Sequence, residues 1–189
     1  MPREKLLIAV ALPQELEHAA MIHDIPVIYT GVGKLNAALS LMDAIERHRP
    51  DRLINYGTAG ALAGRADGLV EVAEVIQRDM DTEPLFPRGT TPFDDTPPVL
   101  SSNADGLRCA TGDNFLQASD PWLLEQGVDL VDMELFALAA VCHRRQLPWR
   151  AFKFITDDSN DNSGRDWATR VHLGQALFLA RLDELLAGR

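Results

Sequence analysis

At 189 residues the chain has the length of one domain, with enough material for a sizeable buried core. Apolar residues make up 46% and charged residues 24%, an ordinary globular composition that excludes a low-complexity chain. The net charge of −10 argues against nucleic acid or an anionic membrane surface as partner, because both need a basic face.

Two cysteines, Cys109 and Cys142, are too few for a disulfide framework, and their apolar flanks predict buried free thiols. The apolar run Leu6 to Leu12 is short and lacks a small-residue cleavage site, so no signal peptide is expected. No run approaches the roughly 20 apolar residues of a membrane span. These readings predict one soluble, cytoplasmic domain over residues 1–189.

In chain order, Lys5 to Ala11 is an apolar strand and Gln14 to Ile22 a short helix. Val27 to Thr30 is a strand. The turn Gly31-Val32-Gly33-Lys34 leads from it into a helix, Leu35 to His48. Arg52 to Tyr56 is a strand followed by a small-residue turn, Gly57-Thr58-Ala59-Gly60. Leu69 to Ile76 and Leu107 to Ala110 are strands, with a short helix at Pro121 to Gln126. Leu130 to Met133 starts a strand-to-helix unit whose helix is Leu135 to Arg145. Trp149 to Ile155 is the last strand, and Trp167 to Ala187 a closing helix. This alternation predicts an α/β fold, three layers α/β/α around a central mixed, mostly parallel sheet.

The stretch from Asp79 to Asn103 holds five prolines and few periodic apolar positions. A loop of that length is commonly functional. Phe86 and Phe93 predict an ordered lid or interface segment.

Two acidic tetrapeptides carry the chemistry. Val131-Asp132-Met133-Glu134 opens a helix, and Ile155-Thr156-Asp157-Asp158 closes an apolar strand. Carboxylates at such ends can converge on one cleft, where α/β folds collect ligands. Taken alone they are more often caps or solvated charges. Glu15, just past the first strand, reads as a carboxylate favoured by a helix N-terminus or as a general base. Gly31-Val32-Gly33-Lys34 lacks the third glycine of a dinucleotide fingerprint and the spacing of a phosphate loop, so a plain strand–helix turn is expected. Thr58 could add a hydroxyl donor to the backbone amides of its turn. His18, His23, His48, His143 and His172 show no metal-ligand spacing.

Six blocks in order then carry a family resemblance. They are Ile8-Ala9-Val10-Ala11-Leu12-Pro13-Gln14-Glu15; Thr30-Gly31-Val32-Gly33-Lys34 with Ala37-Ala38; Asn55-Tyr56-Gly57-Thr58-Ala59-Gly60; Thr111-Gly112-Asp113-Asn114-Phe115; Val131-Asp132-Met133-Glu134; and Phe154-Ile155-Thr156-Asp157. With these the chain resembles the purine nucleoside phosphorylase/hydrolase superfamily, and within it the 5′-methylthioadenosine/S-adenosylhomocysteine nucleosidases. The resemblance implies hydrolysis of the N-glycosidic bond of a purine nucleoside, with adenine the expected base, by a homodimer without cofactor or metal. It implies that Glu15 activates the attacking water and that Asp157 serves N7 of the leaving base. It implies that Glu134 binds ribose hydroxyls, that Met133 packs under the ribose and that Phe115 stacks on the base. Backbone at Phe115 and Leu116 would read the base edge, and Thr58 would sit near the nucleophile.

Phosphorylases of this superfamily carry an arginine where this chain has Asn55, and a phosphate loop where it has Pro13-Gln14-Glu15. Water is therefore the expected nucleophile. The chain also departs from the resemblance. Its first hairpin is nearly absent, and the proline-rich loop stands where a helix is usual. Arg78, Arg88, Asp79 and Asp81 have no family counterpart. Two alternatives follow: a phosphorylase that holds phosphate with Arg78, Arg88 or Arg165, and a non-catalytic nucleoside-binding protein.

Overall fold

The computed structural model describes residues 4–17, 19–62, 64–116, 120–159 and 163–188. Nine strands and five helices are assigned among them. The strands are β1 (Leu6–Val10), β2 (Met21–Ile22), β3 (Ile25–Tyr29), β4 (Arg52–Ala61), β5 (Leu69–Gln77), β6 (Val99–Ser101), β7 (Leu107–Thr111), β8 (Leu130–Asp132) and β9 (Trp149–Asp157). The helices are α1 (Lys34–His48), α2 (Pro121–Glu125), α3 (Leu135–Arg145), α4 (Ser163–Arg170) and α5 (Gln175–Ala187).

The sheet is mixed. Its order is β2-β3-β1-β4-β8-β7-β5-β6, and β9 pairs with both β4 and β5. That double pairing closes β4, β8, β7, β5 and β9 into a ring. The ring closes because β4 is long. Its first part runs parallel to β1 and β9, while Gly60 and Ala61 turn onto β8 antiparallel. The register with β9 shifts between Ala59 and Gly60, where the strand bends.

Side chains alternate across the strands and divide the core in two. Leu7, Ala9, Leu53 and Ala151 pack with Leu41 of α1 and Leu138 of α3 on one face. Leu6, Ile8, Val10, Ile54 and Phe152 pack with Phe178 and Leu182 of α5 on the other. Tyr56 stacks on Phe178 at 4.3 Å between ring centres. The three layers read from the sequence are therefore present, with α1 and α3 opposite α5.

Several local expectations are corrected. No helix forms at Gln14 to Ile22. Residues 13–17 are turns, His18 lies outside the described residues, and Met21–Ile22 pairs antiparallel with β3. Leu16 is buried and Glu15 is drawn inward, so tertiary contacts override the helical pattern. Gly57-Thr58-Ala59-Gly60 is not a turn but the continuation of β4. The closing helix is two helices. At Gly174 an added Cβ would stand 2.4 Å from the Phe154 ring, so the chain comes too close to β9 for one straight helix.

One buried ion pair joins the layers. Lys153 Nζ of β9 lies 2.8 Å from Asp132 Oδ2 of β8, with the two side chains 2% and 0% exposed. Asp132 also accepts from Thr111 Oγ1 at 2.5 Å and from the Leu135 amide at 2.9 Å, which holds the start of α3. Burial alone would raise the Asp132 pKa, but the Lys153 ammonium and these bonds hold it below the usual range. Lys153→Met should leave Asp132 buried and unpaired, at a cost of about 3–5 kcal/mol. Urea unfolding checks this. Replacing both partners by apolar residues should cost less, and equal losses would show that the pair is not coupled.

Candidate active site

The C-terminal ends of several strands open into one cavity of about 280 Å³. Its wall takes Leu12 and Glu15 from beyond β1, Thr58 and Gly60 from β4, and Phe115 and Leu116 from beyond β7. Met133 and Glu134 come from the end of β8, and Asp157 from the end of β9. All seven site residues named from the sequence therefore share one cavity.

Glu15 is 3% exposed and held from three sides. Its Oε1 accepts from the Thr58 amide and the Thr58 hydroxyl, each at 2.7 Å. Its Oε2 accepts from the Leu12 amide at 2.9 Å. The Trp167 indole N–H donates to Thr58 Oγ1 at 3.0 Å, which leaves the hydroxyl proton directed at Glu15. Gly57 gives these groups room. A Cβ there would meet Lys153 Nζ at 3.3 Å and Glu15 Oε1 at 3.5 Å.

Glu134 sits at the mouth of α3 and accepts from the Gly33 amide at 2.9 Å. Gly33 has φ +92°, a left-handed conformation suited to glycine, so the turn before α1 does more than reverse the chain. Burial, and then the neighbouring Asp132 charge, push the Glu134 pKa up to about 7, with Lys153 and the Gly33 amide pulling the other way.

Asp157 accepts from Thr156 Oγ1 and from the Ser159 amide, each at 2.9 Å. Gly60 permits this approach, since a Cβ there would stand 2.7 Å from Asp157 Oδ1. Ser159 also lines the cavity, and its Oγ has no hydrogen-bond partner among the described residues. Phe115 lines the cavity and is 54% exposed.

The sequence reading passed over Trp167, Ser159 and the Gly33 amide, and gave Asp132 no role beyond its tetrapeptide. No spacing signal marks Trp167 or the Gly33 amide, because each reaches the site through pairing between distant segments. Of the three candidate phosphate arginines, only Arg78 lines the cavity. Arg88 is paired with Asp120 at 2.6 Å and lies over the Trp122 ring, and Arg165 is exposed. Asn55 is buried and donates to the Ala9 carbonyl at 3.0 Å. Phe86 and Phe93 contact each other edge to face at 5.1 Å, and neither belongs to the cavity wall. The expected ordered lid or interface segment therefore places neither ring on the cavity wall.

A mixed α/β sheet with a carboxylate-rich cavity at its strand ends defines an enzyme-type ligand site. Residues 18–187 match the family model described as the phosphorylase superfamily, and the chain belongs to that family. It is 27% identical over 168 residues to a 5′-methylthioadenosine/S-adenosylhomocysteine nucleosidase of Bacillus thuringiensis, spanning 75% of this chain and 71% of that one. Its fold matches a Helicobacter pylori nucleosidase mutant with 5′-methylthioadenosine in the active site, with TM-score 0.87 and 16% identity over 99% of this chain and 100% of that one. It matches a futalosine hydrolase of the same organism with TM-score 0.85 and 17% identity over 98% of each chain.

The raised Glu134 pKa has two measurable consequences. Glu134 keeps its proton in the folded protein up to about pH 7, but loses it near the ordinary 4.5 when unfolded. Its contribution to stability is thus complete below the unfolded value and is lost as pH rises through about 7. Thermal unfolding followed across this range should show that loss, and Glu134→Gln should abolish it. In the same range, nucleoside binding through a charged acceptor should strengthen with rising pH. A Kd that is flat from pH 6 to 8 in the parent protein would remove Glu134 from the binding set.

Proposed function

We propose that this chain is an N-glycosyl hydrolase that releases the free base from a purine nucleoside, with adenine nucleosides such as 5′-methylthioadenosine or S-adenosylhomocysteine as substrates. The carrying observation is that Glu15, Glu134 and Asp157 line a single cavity together with Phe115 and Met133. The names of the sequence relatives support the same reading.

The reaction follows from the arrangement. The ribose–base bond breaks with its electron pair going to the base. A proton passed through Asp157 to N7 neutralises the departing charge. Water adds to the anomeric carbon and gives its proton to Glu15, whose Oε1 already holds two donors and whose Oε2 holds one. Glu134 grips the ribose hydroxyls, and its charge favours the cation that develops on the sugar. Met133 packs beneath the sugar. Phe115 stacks on the base, and backbone at Phe115 and Leu116 reads its edge. No metal or cofactor is part of this scheme.

Water is favoured over phosphate by two observations. Asn55 offers no guanidinium, and the Arg78 guanidinium is already bonded to Asn114 and Gly112. A mere nucleoside-binding role would not need Glu15 anchored by three donors.

We further infer a single-domain, cytoplasmic homodimer. Among the described residues no helix is long and apolar enough to cross a membrane. Leu35, Leu39 and Met42 of α1 are 70%, 56% and 41% exposed at helical spacing, a stripe that asks for a partner.

Hydrolysis is tested by incubating the protein with methylthioadenosine, with and without phosphate, and following free adenine. Adenine release independent of phosphate is expected. A strict phosphate requirement would make the protein a phosphorylase, and tight binding without turnover would make it a carrier. Asp157→Asn should lower kcat by at least ~10²-fold with substrate still bound. In sedimentation, Leu35→Glu with Leu39→Glu should convert a dimer to monomer, whereas a monomeric parent would sink the dimer reading.

A further inference from the structure

The two oxygens of Glu15 stand in unequal surroundings. A carboxylate oxygen has room for about two hydrogen bonds. Oε1 takes both from Thr58, one from the amide and one from the hydroxyl, each at 2.7 Å. Oε2 takes one, from the Leu12 amide at 2.9 Å. Among the described residues, Oε2 is therefore the oxygen that keeps a lone pair for an incoming proton.

This asymmetry depends on a rotor. A threonine hydroxyl has one proton to give and turns about its C–O bond. The indole N–H only donates, and that of Trp167 donates to Thr58 Oγ1 at 3.0 Å. The lone pair it occupies fixes the rotor with its proton toward Glu15. Donation into the hydroxyl oxygen also strengthens the hydroxyl as a donor in turn.

The indole is itself held in place. Trp167 lines the cavity from α4. Three residues on, Arg170 Nη1 donates to the Thr156 carbonyl at 3.3 Å, and its guanidinium lies 6.0 Å from the centre of the Phe154 ring. Residues three apart are neighbours on a helix surface, so the side of α4 that carries Trp167 is fastened to β9. A phenyl ring at this position would fill the same wall but carry no donor. The contribution to Glu15 lies in the N–H.

We propose that Trp167 is a positioning residue for hydrolysis: its indole N–H, acting through the Thr58 hydroxyl, saturates Glu15 Oε1 and leaves Oε2 as the oxygen that takes the proton of the attacking water. The inference rests on the nucleosidase reading above and adds the atom that acts as base and the group that selects it.

The test measures kcat and KM for methylthioadenosine together with hydrogen exchange of the Trp167 indole proton by NMR. Trp167→Phe removes the donor. Because it also shrinks the ring and can loosen α4, a second variant carries 3-benzothienylalanine at position 167, which keeps the indole shape with sulfur in place of N–H. Each should lower kcat by about 3- to 10-fold, the scale of one neutral hydrogen bond. In the benzothienyl variant KM should move by less than about twofold, since the wall it offers the substrate is kept. In a Thr58→Val background, where no rotor remains, the same replacements should cost less than about twofold further, because coupled residues are not additive. A pure packing role would cost the same in both backgrounds. Equal losses in the two backgrounds, or an unchanged kcat in the benzothienyl variant, would overturn the proposal. If the parent protein does not cleave the nucleoside, the nucleosidase reading fails by itself, and proton exchange then judges the relay. The Trp167 indole proton should exchange at least ~10-fold faster in Thr58→Val than in the parent, as expected when a buried hydrogen bond is lost. Equal exchange in the two proteins would overturn the relay.

Discussion

The Asp132–Lys153 pair is the constraint on which the rest of the site depends. A carboxylate and an ammonium, both buried, are stable only with excellent geometry and further hydrogen bonds. Here the pair lies 2.8 Å apart, and Thr111 and the Leu135 amide complete the Asp132 shell. Those three contacts join residues of β7, β8, β9 and the start of α3. Thr111 Oγ1 in turn accepts from the Phe136 amide at 2.9 Å. The mouth of α3, and with it Glu134, is therefore set by the buried pair at the cavity wall.

The same cluster sets the charge state of the site. Asp132 is ionised beside Lys153, so the next carboxylate along the chain meets a negative neighbour in a buried place. That neighbour and the burial together raise Glu134, while Glu15 is surrounded by donors from Leu12 and Thr58. Carboxylates in one cavity thus stand in different surroundings, which is how a single site can combine a binding anion with proton transfer.

The strand ends are brought close by glycine. Gly60 clears the approach of Asp157, Gly57 leaves space between Lys153 and Glu15, and Gly33 turns its amide toward Glu134. Outside the cavity, Lys34 Nζ bonds Asp79 and Gln77, and the Asp113 amide bonds Asp79. This clasp joins the start of α1 to the ends of β5 and β7, so Asp79 ties these elements together outside the cavity wall.

The sequence by itself determined the layered fold, because the alternation of apolar strands and amphipathic helices is a local pattern. It also marked the three carboxylates, since Glu15, Glu134 and Asp157 stand at the ends of such elements in recognisable blocks. It misread Gln14 to Ile22 as a helix, because burial of Glu15 and Leu16 against distant strands outweighs local propensity. It read Gly57 to Gly60 as a turn, because a strand that bends from one partner to another carries no local signal. Trp167, Arg78 and the Gly33 amide belong to the site only through contacts across 109, 36 and 101 residues of chain. Only the closed ring of strands decided those neighbours, since hydrogen-bond register between distant segments sets which side chains meet.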